Sequence, residues 1–183
     1  MMWPRRLVLV FVAGALVACA GRTMTVGSEQ APDSASRVGQ YRTYRVAPPV
    51  AGDVADRPDV MTSVAEALDE VLQAKGYQAA SERADFLVRW RVTVKDREQV
   101  TTVDLFPSTG PGRMGGGPTQ QTTMVREYQE GSLIIEIIDA PTDQTIWRGW
   151  AQAEIKPSAR PEERREQIHT AVQKILARFP ARR

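Results

Sequence analysis

The chain has 183 residues, enough for one domain with its own hydrophobic core, and 42% of the residues are hydrophobic. Its 24 basic and 22 acidic residues leave a formal net charge of +2. Because no segment concentrates this small excess on one face, we expect no nucleic-acid partner. The sequence contains one cysteine, which excludes an intramolecular disulfide, so the domain must depend on its core for stability.

The N-terminus has the pattern of an export signal. Two arginines precede an apolar run of eleven residues, Leu7 to Val17, which is too short for a helix that stays in the membrane. The run ends in Leu16-Val17-Ala18-Cys19, which resembles the lipobox ahead of the lipidated cysteine in bacterial lipoproteins. We therefore predict a signal peptide over residues 1–18 and lipidation of Cys19.

Lipidation of Cys19 would attach the protein to a membrane. Two or three acyl chains on one residue bind a bilayer stably, whereas a single chain binds only marginally. Residue 20 is Ala20 and not the aspartate that resembles an inner-membrane retention signal, so we expect the outer membrane, with the domain facing the periplasm. Residues 19–39 are rich in small and polar residues without apolar periodicity, which predicts a flexible tether after the lipid.

Residues 40–180 are predicted to form a single folded domain. Apolar residues recur at helical spacing in two segments, Asp59 to Lys75 and Pro161 to Phe179. Four further segments have strand character: Tyr41 to Val46, Phe86 to Lys95, Ser132 to Asp139, and Thr145 to Ile155. The order β-α-β-β-β-α predicts an α+β fold, a two-layer sandwich with two helices on one face of a mostly antiparallel four-stranded sheet.

Three stretches of the predicted domain resemble a known family. They are Gly76-Tyr77 with Ala84 to Val88, then Glu130 to Ala140 (EGSLIIEIIDA), then Ile146-Trp147-Arg148-Gly149. Their order and spacing, with the lipobox ahead of them, resemble the lipoprotein domain of unknown function DUF4136 over most of residues 40–180. The resemblance implies an envelope lipoprotein with no assigned activity, and it supplies no catalytic residue.

Two features suggest catalysis or cofactor binding, and each has a simpler explanation. Gly110, Gly112 and Gly115 spell G-x-G-x-x-G, but prolines interrupt the segment 107–118 and a strand follows it, so we expect a hairpin loop. His169 is the only histidine, and the chain lacks both the several ligands of a zinc site and a G-x-S-x-G elbow. We therefore predict no catalytic, metal-binding or cofactor-binding residue and no cofactor.

The last two strands suggest an apolar surface on the face of the sheet away from the helices. Trp147 and Trp150 differ by an odd number of positions, so one should pack under the helices and the other should lie on the open face. Ile134 and Ile138 also alternate toward the open face. We predict a partner-binding face formed by Trp147, Trp150, Ile134 and Ile138, unless the loop 107–118 or the tether covers it.

These observations favour a non-enzymatic binding or structural module of the cell envelope, whose partner is a membrane lipid surface and an envelope protein or lipid. One alternative is a hydrolase without a recognisable motif, for which His169 is the candidate residue. Another is a lipid carrier that resembles the lipoproteins of lipopolysaccharide assembly, a reading based on fold analogy alone. A lipid-sized apolar cavity would favour the carrier.

Overall fold

The computed structural model describes residues 24–32, 34–49, 57–104 and 121–182. The predicted signal peptide, Cys19 and the glycine-rich segment 107–118 lie outside these residues. Within the described ranges the chain forms six strands, namely β1 (Thr25–Gln30), β2 (Thr43–Val46), β3 (Gln78–Ala79), β4 (Phe86–Asp104), β5 (Gln121–Asp139) and β6 (Gln144–Ile155). The same ranges contain three helices, α1 (Ala35–Val38), α2 (Pro58–Ala74) and α3 (Pro161–Leu176).

The strands form one mixed sheet in the order β1-β6-β5-β4-β2-β3. Pairing is antiparallel from β1 through β6 and β5 to β4, whereas β2 pairs parallel with both β4 and β3. The parallel pairing follows from the connection, because α2 carries the chain back to the end of the sheet at which β2 began. The predicted two-layer α+β class is confirmed, but the predicted four-stranded sheet is wrong, since the described part contains six strands.

The predicted flexible tether over residues 19–39 is wrong for its C-terminal half. Strand β1 pairs along its whole length with β6, from Thr25 opposite Gln152 to Gln30 opposite Trp147, and α1 follows it. The sequence of β1 lacks apolar alternation because backbone hydrogen bonds to β6, and not a buried side-chain stripe, hold most of this edge strand in place. The folded domain therefore begins before the predicted boundary at residue 40.

Helices α2 and α3 lie side by side on one face of the sheet and run in the same direction. Near their N-terminal ends the guanidinium of Arg164 binds the carboxylate of Asp59 at 2.8 Å. Near their C-terminal ends the Lys75 ammonium donates a hydrogen bond of 2.8 Å to the carbonyl of Phe179. The predicted apolar stripes are confirmed as the buried faces of these helices. Gly76 ends α2 with a φ of 89°, the left-handed conformation that favours glycine.

A cluster of aromatic side chains forms the core at the C-terminal ends of the two helices. The ring of Phe86 lies between 5.2 and 6.0 Å, centroid to centroid, from the rings of Tyr41, Tyr44, Tyr77 and Phe179. Trp147 packs against Phe179 at 5.4 Å. Each such pair adds about 0.5–1.5 kcal/mol beyond the burial of apolar area, so this end of the sandwich anchors the fold.

The two longest strands extend beyond the helices and beyond the rest of the sheet. Strands β4 and β5 pair over their full length, from Phe86 opposite Asp139 to Asp104 opposite Gln121. Strand β6 pairs with β5 only as far as Gln129. Residues 97–104 and 121–128 therefore pair only with each other among the described strands, and we refer to them as the ribbon.

Candidate interaction and ligand sites

The four residues of the predicted binding face do not form one exposed patch. Trp147 is 2% exposed and belongs to the core under the helices, whereas Trp150 is half-buried on the outer face. Ile134 is also half-buried there, but Ile138, which lies beside a bulge at Ile146 of β6, is only 1% exposed and cannot form part of an exposed surface. The prediction of a face formed by all four is therefore wrong for Trp147 and Ile138.

The outer face of the sheet around Trp150 is largely polar. The indole of Trp150 lies over Gly27 of the neighbouring strand, where a Cβ atom would come within 2.2 Å of the ring. Beside it Arg148 binds Glu136 at 2.6 Å, and a second cross-strand pair joins Arg126 to Glu154 at 2.6 Å. Solvent-facing pairs of this kind contribute about 0–1 kcal/mol each, so they mark a solvated surface more than a stabilising one.

The largest exposed apolar side chains lie on the ribbon. Among the described residues, these are Val100, Val103, Met124 and Val125, which are 42–62% exposed. Val100 and Val125 are directly opposite each other on the two strands. This surface was not predicted from the sequence, because the predicted strands ended at Lys95 and began at Ser132, short of the ribbon. The run of four β-branched residues at 100–103, Val-Thr-Thr-Val, was the available signal, because such residues favour strands.

A cavity of about 380 Å³ lies between the N-terminal halves of α2 and α3 and the inner face of the sheet. Its helical wall includes Val60, Val64 and Ile168, and its floor includes Ala151 and Ala153 of β6. The cavity is thus at the end of the sandwich opposite the aromatic cluster. The cavity has no signal in the sequence, because its lining comes from segments far apart in the chain.

His169, the candidate residue for a hydrolase, contacts a carboxylate at the protein surface. Its Nε2 lies 3.1 Å from the Glu70 carboxylate on the neighbouring helix, and the two side chains are 30% and 69% exposed. His169 does not line the cavity between the helices and the sheet. This environment orients the ring toward Glu70 and toward solvent, so the contact joins α2 to α3 at the surface.

Two aspartates from the stretches that resemble the known family hold the start of β2 in place. Asp139 is 4% exposed and accepts hydrogen bonds from the hydroxyls of Tyr41 and Thr142, both at 2.5 Å. Asp85 accepts from the backbone N–H of Arg42 at 2.7 Å and of Thr43 at 2.8 Å. Burial raises the pKa of each carboxyl, but the hydrogen bonds outweigh burial, and both pKa values lie below their usual range.

The described chain is a two-layer α+β domain in which Asp85 and Asp139, from the stretches that resemble the known family, have structural roles. It belongs to the DUF4136 family, a domain of unknown function, which it matches over residues 28–181. This match confirms the resemblance drawn from the three sequence stretches. No curated protein matches the chain in sequence.

Solved structures share this fold at low sequence identity. The PelC dodecamer from Paraburkholderia phytofirmans is 14% identical, with a TM-score of 0.51 over 88% of this chain and all of that one (100%). A DUF4136 family protein from Bacteroides thetaiotaomicron is 13% identical, with a TM-score of 0.51 over 84% of this chain and 94% of that one. A PDZ domain protein from Parabacteroides distasonis is 13% identical, with a TM-score of 0.52 over 88% of this chain and 37% of that one.

The described residues contain neither a membrane-spanning helix nor a cluster of metal ligands. No helix in the described ranges is both long enough and apolar enough to span a bilayer. Within those same ranges, no three histidine, aspartate, glutamate or cysteine side chains lie close enough together to hold a metal ion.

Proposed function

We propose that this chain is a non-enzymatic, lipid-anchored structural module of the cell envelope that binds further copies of itself through the ribbon. The anchor is Cys19, and the expected location is the periplasmic face of the outer membrane. The observation that carries the proposal is the exposed apolar surface of the ribbon. The lipobox at residues 16–19 supports the anchor, because its apolar run, small residues and thiol fall in register.

The ribbon exposes both apolar side chains and strand edges, as expected of an interaction surface. Its side chains Val100, Met124 and Val125 are each at least 60% exposed, although valine and methionine are commonly buried. Its two strands pair only with each other among the described elements, so their outer edges present backbone donors and acceptors. A two-stranded ribbon is marginally stable in water, and burial against a partner would stabilise it.

A second copy of the chain is the occupant that fits best. The ribbon exposes apolar side chains on both faces and two free strand edges, so ribbons from different copies can pair by edge or by face. Identical surfaces of this kind support closed symmetric assemblies. The PelC dodecamer, which shares the fold, is named as an assembly of twelve chains, and that name supports the choice without establishing it.

Cross-linking in living cells tests the proposal. If Cys19 is lipidated, its thiol is blocked, so a cysteine introduced at position 100 would be the only free thiol. We expect Val100→Cys to form a disulfide-linked product of twice the chain mass in the oxidising envelope. Gln73→Cys, an exposed position on α2 away from the ribbon, is the matched control and should remain monomeric. Cross-links only to other proteins would overturn self-association.

Substitution and fractionation complete the test. Placing lysine at both Val100 and Val125 should weaken self-association more than tenfold in sedimentation experiments, because buried unpaired charges are strongly unfavourable. Lysine at Gln73 and Gln78 adds the same charge at exposed positions outside the ribbon and should change nothing. Cys19→Ser should move the protein from the outer-membrane fraction to the soluble fraction. Retention in the membrane would contradict the anchor.

A further inference from the structure

We propose that the cavity between α2, α3 and the sheet binds a single-chain amphiphile with an anionic head group, such as a fatty acid. This ligand site is separate from the ribbon and does not depend on self-association. The cavity also supports the lipid-carrier alternative, in addition to the fold analogy.

The shape of the cavity results from small residues at one end of a well-packed sandwich. Ala151 and Ala153 on β6 and Ala171 on α3 face each other across the gap, where larger side chains would fill the space. Toward the other end of the same two helices, the aromatic side chains around Phe86 and Phe179 occupy the corresponding volume. Pockets lined mainly by apolar side chains, with a few polar groups at the solvent side, are typical of sites that bind small apolar or amphipathic ligands.

The size and the lining select one acyl chain. A volume of about 380 Å³ lies at the lower end of the ~300–1,000 Å³ typical of ligand pockets, which suits one chain better than a two-chain lipid. Valines, isoleucines, leucine and alanines supply most of the lining, with Met24 of the segment before β1 on the rim. A flexible hydrocarbon chain can adapt to such a surface without needing polar partners.

The charges around the cavity select the head group. Three lining residues are basic, Arg57, Lys156 and Arg164, and none of the described lining residues is acidic. Arg57 and Arg164 share one carboxylate, that of Asp59, at 3.4 and 2.8 Å. The solvent side of the cavity therefore has more cationic than anionic charge, and a carboxylate head group would lie there while its chain enters the apolar part.

The test is a chain-length series of straight-chain carboxylates, octanoate through tetradecanoate, titrated calorimetrically at pH 7.5. The protein is the full chain with Cys19→Ser, so that no attached acyl chain competes. We expect affinity to rise about fourfold per added methylene and then to stop rising when the cavity is full. No binding, or a rise without an end point as in adsorption to a surface, would overturn the proposal.

Matched variants locate the binding. Ala153→Phe fills the cavity from its floor and should reduce dodecanoate binding at least tenfold, with Ala153→Leu as a milder variant that loses less. Gln152→Phe places the same ring on the opposite face of the same strand and should leave binding unchanged. Thermal unfolding of each variant checks that the fold persists. Equal losses from Ala153→Phe and Gln152→Phe would show that the ligand does not occupy the cavity.

The head group is tested separately. Lys156→Gln and Arg57→Gln should each weaken dodecanoate binding about threefold, since exposed ion pairs are modest. The same two variants should leave binding of the neutral alcohol dodecanol unchanged. If dodecanol binds as tightly as dodecanoate to the unsubstituted cavity, the anionic specificity is wrong.

Discussion

Replacing Gly149 with alanine is expected to lower the free energy of unfolding by about 3 kcal/mol, the upper part of the usual range for an overpacked core. A Cβ atom at position 149 would lie 2.3 Å from the ring of Trp147 and 2.5 Å from a methyl group of Ile175 on α3. Both neighbours are buried and have little room to move, so α3 must shift away from the sheet. Urea unfolding at pH 7 measures the loss.

Gly27→Ala is the matched control for Gly149→Ala. Its new Cβ would lie 2.2 Å from Trp150, an equally severe overlap on the outer face. Because Trp150 is half-buried at the solvent surface, its ring can swing outward, and the expected loss is about 1 kcal/mol or less. Equal losses for the two glycines would mean that α3 does not constrain Gly149.

Truncating Ile175 supplies a second check on the Gly149 argument. In a Gly149→Ala background, Ile175→Ala removes the methyl group that the new Cβ meets. The loss of unfolding free energy in the double variant should therefore be smaller than the sum of the losses in the two single variants. Additive losses would show that the alanine acts through Trp147 alone or through the backbone.

The helices and the fold class were predictable because burial in this protein follows a regular period over long segments. Val64, Leu68 and Leu72 on α2 are fully buried, and their spacing alone placed that helix against the sheet. Strand β1 was not predictable in the same way, because its residues TVGSEQ contribute little to the core and backbone pairing with β6 defines it. The residue pattern of β1 alone gives no sign that this segment pairs with β6.

The candidate sites were harder to predict than the elements. Alternation correctly separates Trp147 from Trp150, but it does not predict that Ile138, beside a bulge at Ile146 of β6, is buried as completely as Ile137. The cavity depends on which side chains of β6, α2 and α3 fail to fill a shared space. That is a property of tertiary packing and not of any one segment.

The residues that carried the family resemblance have structural roles in the fold. Gly149 permits the close approach of α3, and Asp139 with Asp85 fixes the start of β2. None of these contacts requires a ligand. Their arrangement explains how a sequence pattern can be specific for a fold without containing a reaction site.

Replacing Asp139 with asparagine is expected to cost about 3 kcal/mol of unfolding free energy at pH 7, the upper end for a hydrogen bond to a charged group. Asp139 accepts hydrogen bonds from Tyr41 and Thr142, and the Arg37 guanidinium lies 3.6 Å away. An asparagine retains one acceptor oxygen, so one of the two hydroxyls would face an N–H donor. Because Arg37 is 37% exposed, we assign most of the loss to the hydrogen bonds and not to the ion pair.

The loss in Asp139→Asn should depend on pH in a direction set by the pKa of the carboxyl. Burial raises the pKa of Asp139, but the hydrogen bonds from Thr142 and Tyr41 and the charge of Arg37 bring it below the unfolded value. A lowered pKa contributes stability that is complete above the unfolded pKa of about 3.9 and disappears as the pH falls through the folded value. The difference between the two proteins should therefore be constant from pH 5 to 7 and shrink below pH 4.

Urea unfolding of both proteins from pH 7 to pH 3 tests the role of Asp139, because the other carboxyls contribute equally and cancel in the difference. Tyr41→Phe is the partner control. It removes one donor while Thr142 and Arg37 remain, so it should cost about 1 kcal/mol at pH 7. A loss in Asp139→Asn that is the same at pH 3 and pH 7 would show that the ionised carboxylate is not what holds β2, because protonation would then change nothing.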